Sequence, residues 1–112
     1  MIDFSVLMSL YEKEDPTNLD ECLKSLFNQT CPANEIIVVL DGPITEQLHI
    51  ILNKWIEILP LDIVSLPGNV GLGNALNIGM GSCNYNLIAR MDTDDICVPN
   101  RFELQLAKFK EC

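Results

Sequence analysis

The sequence predicts an α/β domain built on an open, doubly wound, mostly parallel sheet with helices on both faces. Three observations carry this. Short runs such as residues 4–10 and 35–40 are apolar at successive positions, as strands covered on both sides must be. Between the runs, apolar residues recur at three- and four-residue spacing, the period of a helix with one buried face. The two patterns alternate along the chain, which makes right-handed crossovers between parallel strands the natural connection.

Each element has its own signal. Residues 4–10 form the first strand, followed by Asp15-Pro16-Thr17-Asn18, a turn supplied with N-cap residues. Leu19, Cys22, Leu23, Leu26 and Phe27 then fall on one helix face. The second strand, residues 35–40, closes on Asp41-Gly42-Pro43, a turn signal. Leu48, Ile51, Leu52, Trp55 and Leu59 make the next helix stripe, and His49 falls off it. Residues 61–66 are the third strand, 67–71 a loop, and Leu72, Ala75, Leu76 and Gly79 mark the third helix. Residues 85–91 read as the fourth strand and 92–95 as a loop. Pro99 stands where a first-turn proline belongs, and Phe102, Leu106 and Phe109 carry the last helix.

At 112 residues the sequence is expected to form a single domain, 1–112. Its 48% hydrophobic and 21% charged content is that of an ordinary globular protein and excludes disorder. Seven basic against 16 acidic residues give a net charge of −9, which would repel a phosphate backbone, so no nucleic-acid partner is expected. The five cysteines are odd in number, form no CxxC and are accompanied by one histidine. Idle thiols in a reducing compartment therefore fit better than a disulfide scaffold or a Cys/His zinc site. Met1-Ile2-Asp3-Phe4-Ser5 lacks the basic start of a signal peptide, and no stretch reaches the roughly 18 apolar residues of a spanning helix. The expected location is cytoplasmic, with peripheral association at the inner face of the membrane left open.

In a sheet of this kind ligands bind outside the carboxyl ends of the strands. Tyr11-Glu12-Lys13-Glu14-Asp15, Asp41-Gly42, Gly68-Asn69-Val70-Gly71 and Asp92-Thr93-Asp94-Asp95 each follow a strand, so they share one rim. Asp92-Thr93-Asp94-Asp95 is the sharpest feature: three carboxylates in four residues repel one another unless a cation or donors share them. Their oxygens suit Mg²⁺ or Mn²⁺, although a solvated acidic turn has the same spelling. Asp41 is placed to accept hydrogen bonds from a ribose or base, yet read alone it belongs to a turn. Tyr11 is suited either to stack on a base or to pack on the sheet edge. The glycine run before the third helix has Leu76 where a dinucleotide motif needs its third glycine, so turn geometry and close packing explain it better. Arg90 and Arg101 are expected in structural ion pairs or cap contacts. No Ser/His/Asp or Cys/His arrangement appears.

Taken together, the segments resemble the N-terminal half of an inverting family 2 glycosyltransferase of the GT-A fold, of the bacterial polysaccharide-assembly kind. The matching residues are Phe4 to Tyr11, Leu23 to Thr30, Glu35 to Gly42, Asn69 to Asn77, and Ile88 to Asp95 with Pro99-Asn100-Arg101 behind. The resemblance implies a nucleotide-diphosphate sugar donor, with a UDP-sugar favoured, and a divalent metal, Mg²⁺ or Mn²⁺. It implies base packing at Tyr11, base or ribose contact at Asp41, and a nucleotide-sugar site completed by Asn69, Asp92 and Asp94. Metal binding is implied for Asp94 and Asp95, with Asp92 close behind. The family usually has proline-threonine before the tyrosine, where this chain has Ser9-Leu10.

The same resemblance places the acceptor site, for a saccharide or lipid-linked acceptor, and its general base in a C-terminal half. The matched sequence stops short of that half, so the fold is expected to be truncated, to expose apolar surface around residues 92–112 or along the sheet edge, and to self-associate as a homodimer through that surface. Two other readings are a non-catalytic nucleotide-sugar-binding module and a receiver-like phospho-acceptor domain. The receiver reading lacks its aspartate, since strand three is followed by Leu66-Pro67-Gly68-Asn69.

Overall fold

A computed structural model describes residues 2–110, with side chains as far as residue 108. The elements run β1 (Ser5–Leu10), α1 (Pro16–Phe27), β2 (Glu35–Leu40), α2 (Glu46–Ile56), β3 (Leu61–Ser65), α3 (Leu72–Met80), β4 (Ile88–Arg90) and α4 (Arg101–Lys110). The sheet order is β3-β2-β1-β4, and every pair is parallel. Strand order therefore reverses at β1, with β2 on one side and β4 on the other. A crevice at the carboxyl ends of β1 and β4 follows from that reversal.

The successive apolar positions of β1 and β2 are explained by their central place. Val6, Met8 and Leu10 point into a core shared with α1, α2 and α4, which includes Leu23, Trp55 and Phe102. Leu7, Ile37 and Val39 point to the other face and pack with Ala75 and Leu76 of α3. Helices thus cover both faces, as the sequence predicts. The helix ends are set by local chemistry. The Asp15 carboxylate accepts from the Thr17 N–H at 2.7 Å, ahead of Pro16 in the first turn of α1. Thr45 caps α2 through Leu48 N–H. The Asp20 carboxylate accepts from Trp55 Nε1 at 2.7 Å and Lys54 Nζ at 2.9 Å, which ties α1 to α2. These donors, Trp55 first, hold its pKa below the usual carboxylate value.

Several boundaries differ from the sequence reading. Of the predicted run 85–91, Ile88–Arg90 forms the ladder with β1, and Leu87 and Met91 add one backbone bond each to Ser5 and Leu7. The residues before it are bent because Asn84 donates its backbone N–H and its side-chain amide to the Glu35 carboxylate, which also accepts from Ser5 Oγ. Leu59 is buried but lies in the turn after α2, where its N–H donates to the Trp55 carbonyl. Pro99 precedes α4 instead of opening it: its carbonyl accepts from Thr30 N–H, and the first helical bond runs from Leu104 N–H to the Asn100 carbonyl. Uncovered apolar surface does occur in the 92–110 stretch, where Ile96, Val98 and Leu104 are each more than half exposed. The core role expected of Phe109 lies outside the described side chains. Cys22, Cys31, Cys83 and Cys97 are free thiols. No helix among the described residues is long and apolar enough to cross a membrane.

Gly79 sets how closely α3 approaches the sheet. A Cβ there would lie 2.5 Å from Leu7 Cδ1 and 2.6 Å from Val39 Cγ2. Gly79→Ala is therefore expected to lower stability by about 1–3 kcal/mol in urea unfolding through overpacking, although alanine is the better helix former. Gly73→Ala, where an added Cβ meets nothing within 4 Å, serves as the control and should leave the midpoint unchanged or raise it.

Candidate functional site

All four strands point the same way, so the loops that follow them meet at one rim. A cavity of about 600 Å³ opens there, lined by Ser9, Tyr11, Glu14, Asp41, Asn69, Gly71, Leu72, Asp92, Thr93 and Asp94. That volume is in the range of small-molecule sites. Tyr11, Asp41, Asn69, Asp92 and Asp94, singled out from the sequence, are thus brought together on its wall. Asp95 lies outside the lining, on the rim.

Asp92, Asp94 and Asp95 are exposed, and one carboxylate oxygen from each lies within 4.8 Å of the others. Three hard oxygen donors at that spacing fit a divalent cation of the Mg²⁺ or Mn²⁺ type, with room for water and phosphate oxygens. The loop is braced from within. Asp95 Oδ2 accepts from Asp92 N–H at 2.9 Å, and Asp95 N–H donates to the Asp92 carbonyl at 3.0 Å. Below it, Cys22 Sγ donates to the Asp92 carbonyl at 3.7 Å. Burial, then nearby Cys97 and the carboxylates of Asp95, Glu14 and Asp94, push the Cys22 thiol up to about 12. It stays a neutral donor at physiological pH.

Asp41 has a more structural role than its position in a turn implies. It is 6% exposed. Its Oδ1 accepts from Val70 N–H at 2.6 Å and its Oδ2 from Gly71 N–H at 3.2 Å. The carboxylate therefore holds the glycine loop in place while its remaining lone pairs face the cavity. Gly42 beside it has a φ of +87°, and a Cβ there would meet Asn69 Oδ1 at 2.5 Å. The glycine at that position lets Asn69 close over the end of β2. Gly71, with a φ of +92°, opens α3. Tyr11 presents its ring at 46% exposure, a surface available for stacking.

Two arginines depart from expectation. Arg90 is exposed and forms no ion pair among the described residues, because β4 ends with its side chain directed at solvent. Arg101 donates to Cys97 Sγ at 3.1 Å and sits 5.3 Å from the Phe102 ring, so a thiol and an aromatic face replace the expected carboxylate or cap. Glu14 and Thr93 line the cavity without having been selected from the sequence. The signal was available only in part: Glu14 follows a strand, but nothing local shows that it reaches Thr93, 79 residues away.

The family described as Glycosyl transferase family 2 matches residues 5–112. Over 104 residues the chain is 56% identical to the amylovoran biosynthesis glycosyltransferase AmsE of Erwinia amylovora, covering 93% of this chain and 39% of the relative. It is 41% identical over 100 residues to the Escherichia coli UDP-Gal:alpha-D-GlcNAc-diphosphoundecaprenol beta-1,3-galactosyltransferase, covering 89% of this chain and 36% of that protein. Among solved structures, S. aureus TarS 1-349 in complex with UDP superposes with a TM-score of 0.86 at 27% identity, over 98% of this chain and 32% of that one. The chain spans about two fifths of the length of the curated relatives it matches.

The Asp41 brace is directly testable. Asp41→Asn keeps the shape but turns an amide NH₂ toward a backbone N–H. Native-state hydrogen exchange at Val70 and Gly71 should accelerate by roughly tenfold or more, the consequence of losing a charge-assisted bond of about 1.5–3 kcal/mol. Exchange at Ile37, in the middle of β2, should change far less.

Proposed function

Since this chain belongs to glycosyl transferase family 2, we propose that its cavity holds the nucleoside diphosphate of a nucleotide-sugar donor for glycosyl transfer. The observation that carries the proposal is convergence: a half-exposed tyrosine ring, a buried carboxylate and a cation-spaced carboxylate trio share one cavity at the point where strand order reverses. Tyr11 offers its ring to the base. Asp41, already accepting from two backbone amides, has lone pairs left for an N–H or hydroxyl of the base or ribose. Asn69 closes that side of the cavity. Asp92 is placed for the ribose, and Asp94 and Asp95, with Asp92, for a divalent cation. When bound, such a cation neutralises charge on the departing diphosphate. On a chain with a net charge of −9, that neutralisation strengthens the binding of a diphosphate.

A UDP-sugar is the donor we favour. TarS, similar over 98% of this chain, was crystallised with UDP, and the galactosyltransferase relative is named for UDP-Gal. The relative's name also supports a lipid-linked saccharide as the class of acceptor, which would place the reaction at the cytoplasmic face of a membrane. Acceptor recognition and the base that takes the acceptor hydroxyl proton are assigned to no residue described above. They belong, in this proposal, to the part of the relatives' length that the match does not span.

Calorimetric titration with UDP and with GDP, in Mn²⁺ and then in EDTA, tests the proposal. UDP should bind at least about tenfold more tightly than GDP, a difference of about 1.4 kcal/mol, and binding should weaken by at least about tenfold in EDTA. Asp94→Asn combined with Asp95→Asn should abolish the metal-dependent binding and leave the thermal midpoint within a few degrees of the unaltered chain. Parallel loss of stability and binding would instead make the acidic loop a structural turn.

A further inference from the structure

Thr93 lies between two exposed carboxylates and is itself only 5% exposed. Its hydroxyl donates to Glu14 Oε2 at 3.0 Å. Glu14 is half-buried and stands at the start of α1: its N–H donates to the Tyr11 carbonyl at 3.1 Å, and the next residue, Asp15, caps the helix. The bond therefore links the loop after β1 to the loop after β4, across the gap where strand order reverses.

A carboxylate at this position has an electrostatic cost. Glu14 adds a further negative charge to a cavity already lined by Asp41, Asp92 and Asp94, and like charges at short range disfavour one another. A neutral acceptor would avoid that cost. What a carboxylate supplies is a strong acceptor with no donor of its own. Thr93 must then donate, which fixes its hydroxyl rotor and its χ1. A threonine so tethered ties the loop after β4 to the loop after β1, which restrains the backbone from which Asp92 and Asp94 project.

We infer that Glu14 is a positioning residue: by holding Thr93 it fixes Asp92 and Asp94 in the spacing that a cation and a nucleoside diphosphate require. The inference rests on the donor-site reading above. Glu14 need not touch the donor to act, and its effect passes through Thr93.

The test compares Mn²⁺-dependent UDP affinity and metal-free UDP affinity in the same chain and its variants, with thermal unfolding as a check on folding. Glu14→Ala should weaken Mn²⁺-dependent binding about tenfold and leave any metal-free binding unchanged. Glu14→Gln, whose amide oxygen can still accept from Thr93 but whose NH₂ competes as a donor, should fall between the unaltered chain and Glu14→Ala. Thr93→Val should match Glu14→Ala, Thr93→Ser should restore binding, and the double variant Glu14→Ala with Thr93→Val should lose no more than either alone. Additive losses in the double variant would overturn the inference, as would a Glu14→Gln defect equal to that of Glu14→Ala, which would point to charge alone. Unchanged affinity in Glu14→Ala would overturn it too. Absence of Mn²⁺-dependent UDP binding in the unaltered chain would overturn the donor-site reading itself, and this inference with it, and is read before any variant is made.

Discussion

Parallel pairing of β1 with both of its neighbours is the constraint on which the rest of the molecule depends. Because β2, β3 and β4 run in the direction of β1, each strand delivers its following loop to the same rim. Because β4 lies on the opposite side of β1 from β2, the loops after β1 and β4 part and leave a crevice between them. Such a sheet is stable only if its central strands are apolar on both faces, and β1 and β2 are buried almost throughout. The packing of α3 against Leu7 and Val39, with Gly79 at the contact, completes the second face. Core and site thus follow from one arrangement.

The same arrangement concentrates negative charge. Asp41, Asp92, Asp94 and Glu14 share one cavity wall, and Asp95 stands at the rim beside them. Hydrogen bonds from backbone amides relieve part of this at Asp41 and Asp95. A hydroxyl relieves part of it at Glu14. What remains is a set of carboxylate oxygens with free lone pairs directed at open volume. A divalent cation bridging to a diphosphate is the ligand chemistry that this surplus matches best.

Much of this was legible in the sequence, and the reasons differ by element. The strand and helix order was readable because successive apolar runs and helical stripes alternate without ambiguity. The loops that carry Tyr11, Asp41, Asn69, Asp92 and Asp94 were legible because each follows a strand, while the roles of these residues in one site came from the family resemblance. The length of β4 was not readable, because its start depends on Asn84 reaching the distant Glu35 carboxylate. The start of α4 was displaced by the Pro99 carbonyl accepting from Thr30. Asp41 as a brace for the glycine loop, and Glu14 as the partner of Thr93, are long-range contacts with no local pattern. Arg90 and Arg101 misled for a related reason: a basic residue near acids in sequence need not meet them in space.

In the proposed site, the carboxylate trio after β4 holds a divalent cation against the diphosphate of a bound donor. The most direct measurement is ³¹P NMR of UDP with the chain and substoichiometric Mn²⁺, since the paramagnetic ion broadens only nuclei close to it. The UDP phosphorus lines should broaden beyond the broadening caused by free Mn²⁺. This excess should disappear with Asp94→Asn and Asp95→Asn in a chain that remains folded. Broadening no greater than that of Mn²⁺ and UDP without the chain, or an excess untouched by those substitutions, would contradict the proposed site.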